Sequence, residues 1–207
     1  MSDITRRDVL GLMAAVPLAS VLGVDGLERA VKAVQRAQAQ AAAGQQFVPS
    51  FFTPQEWRTV RGFVDLIIPR DERSGSATDA GVPEFMDFTL TDRPGMQPDM
   101  RNGLTWLDGF ARGRHNTGFA DCTATQQSAL LDEIAWPGRA RPDVAQGVRF
   151  FTMFRDFTAS GFWSSKMGVD DLQFMGNAVV PQWIGCSDAA LRKLGVSYEE
   201  WDRRYGG

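Results

Sequence analysis

The chain has 207 residues, a formal net charge of −3, and 43% hydrophobic against 23% charged residues, the proportions of one globular domain with a tail. An isoelectric point near 5.2 argues against a broad basic nucleic-acid surface, and no apolar run reaches the roughly 20 residues that span a bilayer. Two cysteines and a single histidine exclude a multi-histidine metal centre and a four-cysteine zinc or iron–sulfur site, and without Cys-x-x-Cys-His there is no covalent c-type haem.

Thr5-Arg6-Arg7-Asp8 sets two arginines directly before Leu10–Val24, a stretch of small and apolar residues only. That stretch has the length of a signal-peptide core, and an arginine pair in front of it is the pattern of the twin-arginine export signal. The alternative is an ordinary N-terminal helix with a chance Arg-Arg. We read residues 1–24 as the export signal, with Arg6 and Arg7 as its recognition pair. This makes the protein periplasmic and the twin-arginine translocase a partner. Cleavage has two candidate places. Val21-Leu22-Gly23 offers small or permissive residues where a peptidase wants them, while Ala41-Ala42-Ala43 is a better local match but lies too far past the apolar core. An uncut signal would instead tether the chain to the inner membrane. Twin-arginine export carries folded proteins, often with a cofactor inserted, yet this chain shows no cofactor motif.

Residues 25–50, rich in Ala and Gln, read as a linker or a weak helix, the linker being favoured because nothing large is available to pack. The folded body is expected over 51–207. Thr53-Pro54-Gln55-Glu56 is a capping box with proline at the first helical position. Val60, Val64, Ile67 and Ile68 follow on one face, and Pro69 stops the helix. Residues 70–81 form a polar loop. Pro83 opens a short helix with Phe85, Phe88 and Leu90, and a longer one from about Pro98 carries Met100, Leu104, Leu107 and Ala111. Thr123-Ala124-Thr125-Gln126 is a second capping box, before Leu130, Leu131 and Ile134. Asp143–Phe157 is apolar on more than one side, which places it at the centre of a domain. Ser187 caps a helix over Asp188–Leu194, and Ser197-Tyr198-Glu199-Glu200 is a third capping box. No strand alternation or hairpin signal is found. The expectation is an all-α fold: a single helical domain with long loops behind the signal segment.

Candidate chemistry is sparse. Cys122 and Cys186 either form one disulfide, worth roughly 4 kcal/mol in the chain-entropy account, or remain two separate thiols. His115 sits at a helix end, where imidazoles cap carbonyls. Asp132-Glu133, Asp170-Asp171 and Glu199-Glu200 are adjacent pairs, and neighbours on a helix do not face one another. Asp71, Glu72 and Asp79 lack the ligand spacing of a calcium loop. Gly-x-Gly-x-x-Gly, the P-loop and Gly-x-Ser-x-Gly patterns are all missing. No catalytic, cofactor-binding or metal-ligating residue is therefore assigned. The distinctive stretch is Ser160–Leu172, continuing to Phe174-Met175-Gly176-Asn177 and Pro181-Gln182-Trp183. Its aromatics lie among small residues and turn formers, as in a packed core loop or a recognition surface. Phe162, Trp163, Met167 and Trp183 are the candidate partner-interface residues.

Several segments resemble the gluconate 2-dehydrogenase subunit 3 family. They are Phe52-Thr53-Pro54-Gln55-Glu56-Trp57, Ile67-Ile68-Pro69-Arg70-Asp71-Glu72-Arg73-Ser74-Gly75-Ser76-Ala77 and Ala80-Gly81-Val82-Pro83-Glu84-Phe85. To these add Asp121-Cys122, Gln126-Gln127, Leu130–Ala135, Gly161–Gly168 and Gly176-Asn177. The resemblance implies a non-catalytic small subunit beside a large flavoprotein of the glucose–methanol–choline type, which holds FAD and oxidises a sugar or sugar acid. An iron–sulfur cluster in that large subunit is an additional option. A multihaem cytochrome c subunit, with haem c, often takes the electrons onward. The small subunit would carry the export signal for both, so the cofactor that requires folded export would be the partner's. A stand-alone periplasmic enzyme or a small-ligand-binding protein with an unrecognised site is the competing reading.

Overall fold

Helix formation begins at Thr53, whose hydroxyl accepts the Glu56 amide while the Glu56 carboxylate accepts the Thr53 N–H at 2.8 Å. Two donors orphaned at the helix start are thereby satisfied, and α1 runs over Pro54–Ile67 with Val60, Phe63, Val64 and Ile67 buried. The computed structural model describes residues 26, 28–37, 39, 47–173 and 185–205. The expected signal segment with Arg6 and Arg7 lies outside them, as does Trp183. Every regular element among the described residues is helical. The chain divides into two compact units, Met1–Phe174 and Met175–Gly207.

In the first unit, α2 (Val82–Asp92) is entered through Gly81 at φ 80°, a left-handed conformation that glycine adopts without the Cβ penalty. Its apolar run contains one buried charge, Asp87. That carboxylate accepts the backbone N–H groups of Ser50, Phe51 and Phe52 at 2.8, 2.9 and 3.1 Å. It thus anchors the strand of chain leading into α1 to the side of α2. α3 (Gln97–His115) buries Met100, Leu104, Leu107 and Ala111 and ends at Asn116 with φ 61°, a residue type that tolerates this geometry. α4 (Ala124–Asp132) starts at the second capping box, Thr123 with Gln126. Short 3-10 turns at Pro94–Met96, Phe119–Asp121 and Pro142–Val144 fill the connections.

α5 (Ala145–Trp163) is the central helix, packed against α1, α2 and α3. Phe150, Phe154, Phe157 and Phe162 are buried on it, and Phe154 stacks on Phe63 of α1 at 4.1 Å between centroids. α3 and α5 approach through paired notches. A Cβ on Gly103 would fall 1.8 Å from the Phe150 ring, and one on Gly147 would fall 2.1 Å from Trp106. Each helix therefore offers a glycine to an aromatic of the other.

Two local expectations change. Ser160–Trp163, read from sequence as irregular, continues α5 because Gly161 faces Phe85, whose ring leaves no room for a larger residue. A second short helix, α6 (Lys166–Asp171), follows. In the segment read as linker or weak helix, residues 28–37 are helical, with Ala30, Val34 and Ala37 buried. Alanine's small side chain suits close approach, so bulk is not needed for docking.

The second unit contains α7 (Asp188–Leu194), capped by Ser187, and α8 (Tyr198–Tyr205), where Ser197 Oγ accepts the Glu200 amide at 3.2 Å. None of its described residues is buried.

Candidate functional site

The corner between α5 and α6 holds three of the four candidate interface residues, Phe162, Trp163 and Met167. Phe162 is fully buried and takes the core role of the two readings considered for it. Trp163 sits edge-on to Phe162 at 4.9 Å and is half-buried, its indole Nε1 enclosed without a hydrogen-bond partner among the described residues. Ser165 makes the corner: its hydroxyl donates to the Phe162 carbonyl at 2.6 Å and accepts the Gly168 amide at 3.0 Å. A Cβ on Gly168 would lie 2.1 Å from the Phe162 oxygen, so α6 can fold back this tightly only with glycine there.

Met167 is half-buried and lines a groove of about 520 Å³. Val31 and Val34 of the leading helical segment line it together with Gly75, Phe85 and Gly161. Among its lining residues Arg73 pairs with the buried Asp171 at 3.3 Å and also donates to the Asp171 carbonyl. The polar loop after α1 is closed by its own carboxylates. Asp71 Oδ1 accepts the amides of Arg73 and Ser74 at 2.9 Å. Asp79 accepts the Ser76 amide and meets Arg70, both at 2.7 Å. The Ser76 backbone bond, aided by Arg70, holds Asp79 below the usual aspartate range. These carboxylates order the loop, and among the described residues no group of three His, Cys, Asp or Glu could hold a metal ion.

Cys122 is a buried free thiol, and desolvation, with the charges of Asp108 and Asp121, pushes its pKa up, the opposite of what a nucleophilic thiolate needs. Cys186 is an exposed free thiol whose backbone N–H donates to the Tyr198 hydroxyl at 2.6 Å. His115 is the last residue of α3, as its sequence context suggested. Glu133 meets Arg114 at 2.8 Å and Arg141 at 3.4 Å on the surface. Burial pushes the Glu84 carboxyl up, against the partly compensating charge of Arg61.

Sequence reading missed three features. Asp87 is a buried carboxylate inside an apolar run, and the run itself was the available signal. Trp136 is 52% exposed on the turn after α4, in a small cleft with Arg139 and Arg141. The second unit exposes Leu194, Val196, Tyr198 and Trp201. Exposed large apolar side chains are enriched at interaction sites.

Among the described residues the geometry offers packed corners, ion pairs and an open groove. The family model for gluconate 2-dehydrogenase subunit 3 matches residues 54–181, from the first capping proline of α1 past the end of α6. No curated protein and no solved structure matches the chain significantly. The chain belongs to the gluconate 2-dehydrogenase subunit 3 family.

Proposed function

We propose that this chain is the non-catalytic small subunit of a periplasmic FAD-dependent dehydrogenase of the gluconate or glucose type. It stabilises the flavoprotein large subunit and escorts it, already folded, through twin-arginine export. The family match over residues 54–181 is the observation that carries the reading, since the family is named as a subunit. The Arg6-Arg7 pair before an apolar core supports the export role. The second unit, with no buried residue among those described and four large apolar side chains exposed, supports a partner-covered surface. FAD, and an iron–sulfur cluster where one is present, belong to the large subunit in this reading. Haem c belongs to a cytochrome subunit that receives the electrons.

The test is native purification through a C-terminal tag, followed by an absorbance spectrum. A flavin spectrum on a co-purifying large subunit is the expected result, with haem bands where the cytochrome is retained. A colourless lone chain, from cells shown to make the flavoprotein, would overturn the proposal. Arg6→Lys with Arg7→Lys should strand both subunits in the cytoplasm; normal periplasmic flavoprotein activity after that change would remove the escort role.

A further inference from the structure

We infer that the helical segment at 28–37 is a permanent part of the mature fold, so that processing of the leader falls before Gly26 and not at Ala41-Ala42-Ala43. The inference rests on the export role proposed above and adds where that export signal is parted from its cargo.

The argument begins with spacing. Gly26, Ala30, Val34 and Ala37 are all buried, at intervals of four, four and three residues, which places them on one helix face. Ala30 is 1% exposed, as deeply enclosed as core residues of α2. Ala30 and Val34 belong to the same continuous core as Phe51, Phe85 and Phe162. Outside that face Arg29 pairs with Asp92 at the end of α2, at 3.1 Å. Val31 and Val34 also line the groove with Phe85, Gly161 and Met167. Cleavage at Ala41-Ala42-Ala43 would detach this helix from the body. A severed helix of this length is marginal by itself in water and would not hold its seat, and the apolar floor beneath it would face solvent. Cleavage near Val21-Leu22-Gly23 would leave Gly26, Ala30, Val34 and Ala37 on the mature chain. The apolar core of the leader ends at Val24, and Asp25 alone separates it from Gly26. In the reaction itself, a leader peptidase adds water across one peptide bond, leaving a carboxylate on the leader and a new α-amino group on the mature chain.

The experiment is intact-mass and N-terminal sequencing of the chain that co-purifies with the flavoprotein from the periplasm, combined with melting of Val34→Asp. A first residue between Val21 and Gly26 is expected; an uncut periplasmic chain, or a first residue at 27 or beyond, would overturn the inference. Val34→Asp should lower the melting midpoint by about 5 °C, while Val48→Asp, at a site 78% exposed, should leave it unchanged. An unchanged Val34→Asp midpoint would remove the docked helix and the inference with it. An uncut chain confined to the cytoplasm would overturn the export reading and the processing step that depends on it. The Val34→Asp melt would still score the docking separately.

Discussion

Three glycines on α3 should respond to the same substitution with opposite signs. In a solvent-facing helix position Gly→Ala stabilises by about 1 kcal/mol through backbone entropy. Gly109 and Gly113 meet that condition, since a Cβ on either would have nothing within 4 Å. Gly103 does not: its added Cβ would lie 1.8 Å from Phe150 Cδ2. Ordinary carbon contacts are about 3.5–4.0 Å, so the ring would have to retreat by about 2 Å. Phe150 is itself held against Phe63 at 6.1 Å and Phe154 at 5.6 Å between centroids. Little relaxation is available, which places the cost near the upper end of overpacking, about 3 kcal/mol. After the propensity gain, Gly103→Ala should lose about 2 kcal/mol, whereas Gly109→Ala should gain up to about 1 kcal/mol. Urea unfolding of the isolated chain, followed by circular dichroism, measures both. Equal stabilisation at positions 103 and 109 would refute the close α3–α5 approach.

Other consequences can be checked on the isolated chain or on the tagged complex. Asp87→Ala removes the acceptor for three backbone amides, two of them buried, and should cost about 3–5 kcal/mol in urea unfolding; a loss below 1 kcal/mol would show that the 50–52 segment is not anchored there. Under native conditions iodoacetamide should label Cys186 and spare Cys122, with both labelled after unfolding, and mass spectrometry of the tryptic peptides reads the outcome. Burial makes Glu84 harder to ionise in the folded state, so its contribution is fully present below the unfolded carboxyl pKa and is lost as pH rises through the folded one. Glu84→Gln should therefore gain stability relative to the parent at pH 7, with the gain fading towards pH 4. Trp201→Ala should change the melting free energy by no more than about 0.5 kcal/mol, as expected for an exposed side chain, yet reduce the flavoprotein recovered with the tagged chain. A large loss of stability in that variant would make Trp201 a structural residue.

Much of the helical layout was legible because the signals are local. A capping box needs only Thr53 and Glu56, or Thr123 and Gln126, three residues apart, and both boxes form as the spacing requires. The central place of α5 was legible too, since a segment apolar on several sides can satisfy itself only by being surrounded. Local reading faltered where glycine carried the information. Gly161 and Gly168 look like turn residues in the sequence, yet one sits inside α5 and the other lets α6 fold back on the Phe162 carbonyl. The difference lies in what stands opposite each glycine, and that neighbour is distant in sequence or set by the fold.

By itself, then, the sequence determined the helical class, the helix starts marked by capping boxes and, through its ordered motifs, the family. Only tertiary structure decided which small residues are contacts. It docked the Ala-rich segment through Ala30, Val34 and Ala37, brought Arg73 to Asp171, and set Asp87 beneath the amides of residues 50–52. The physical reason is that caps and periodicity act over three or four residues, whereas close approach and buried ion pairing depend on which surfaces the folded chain brings together.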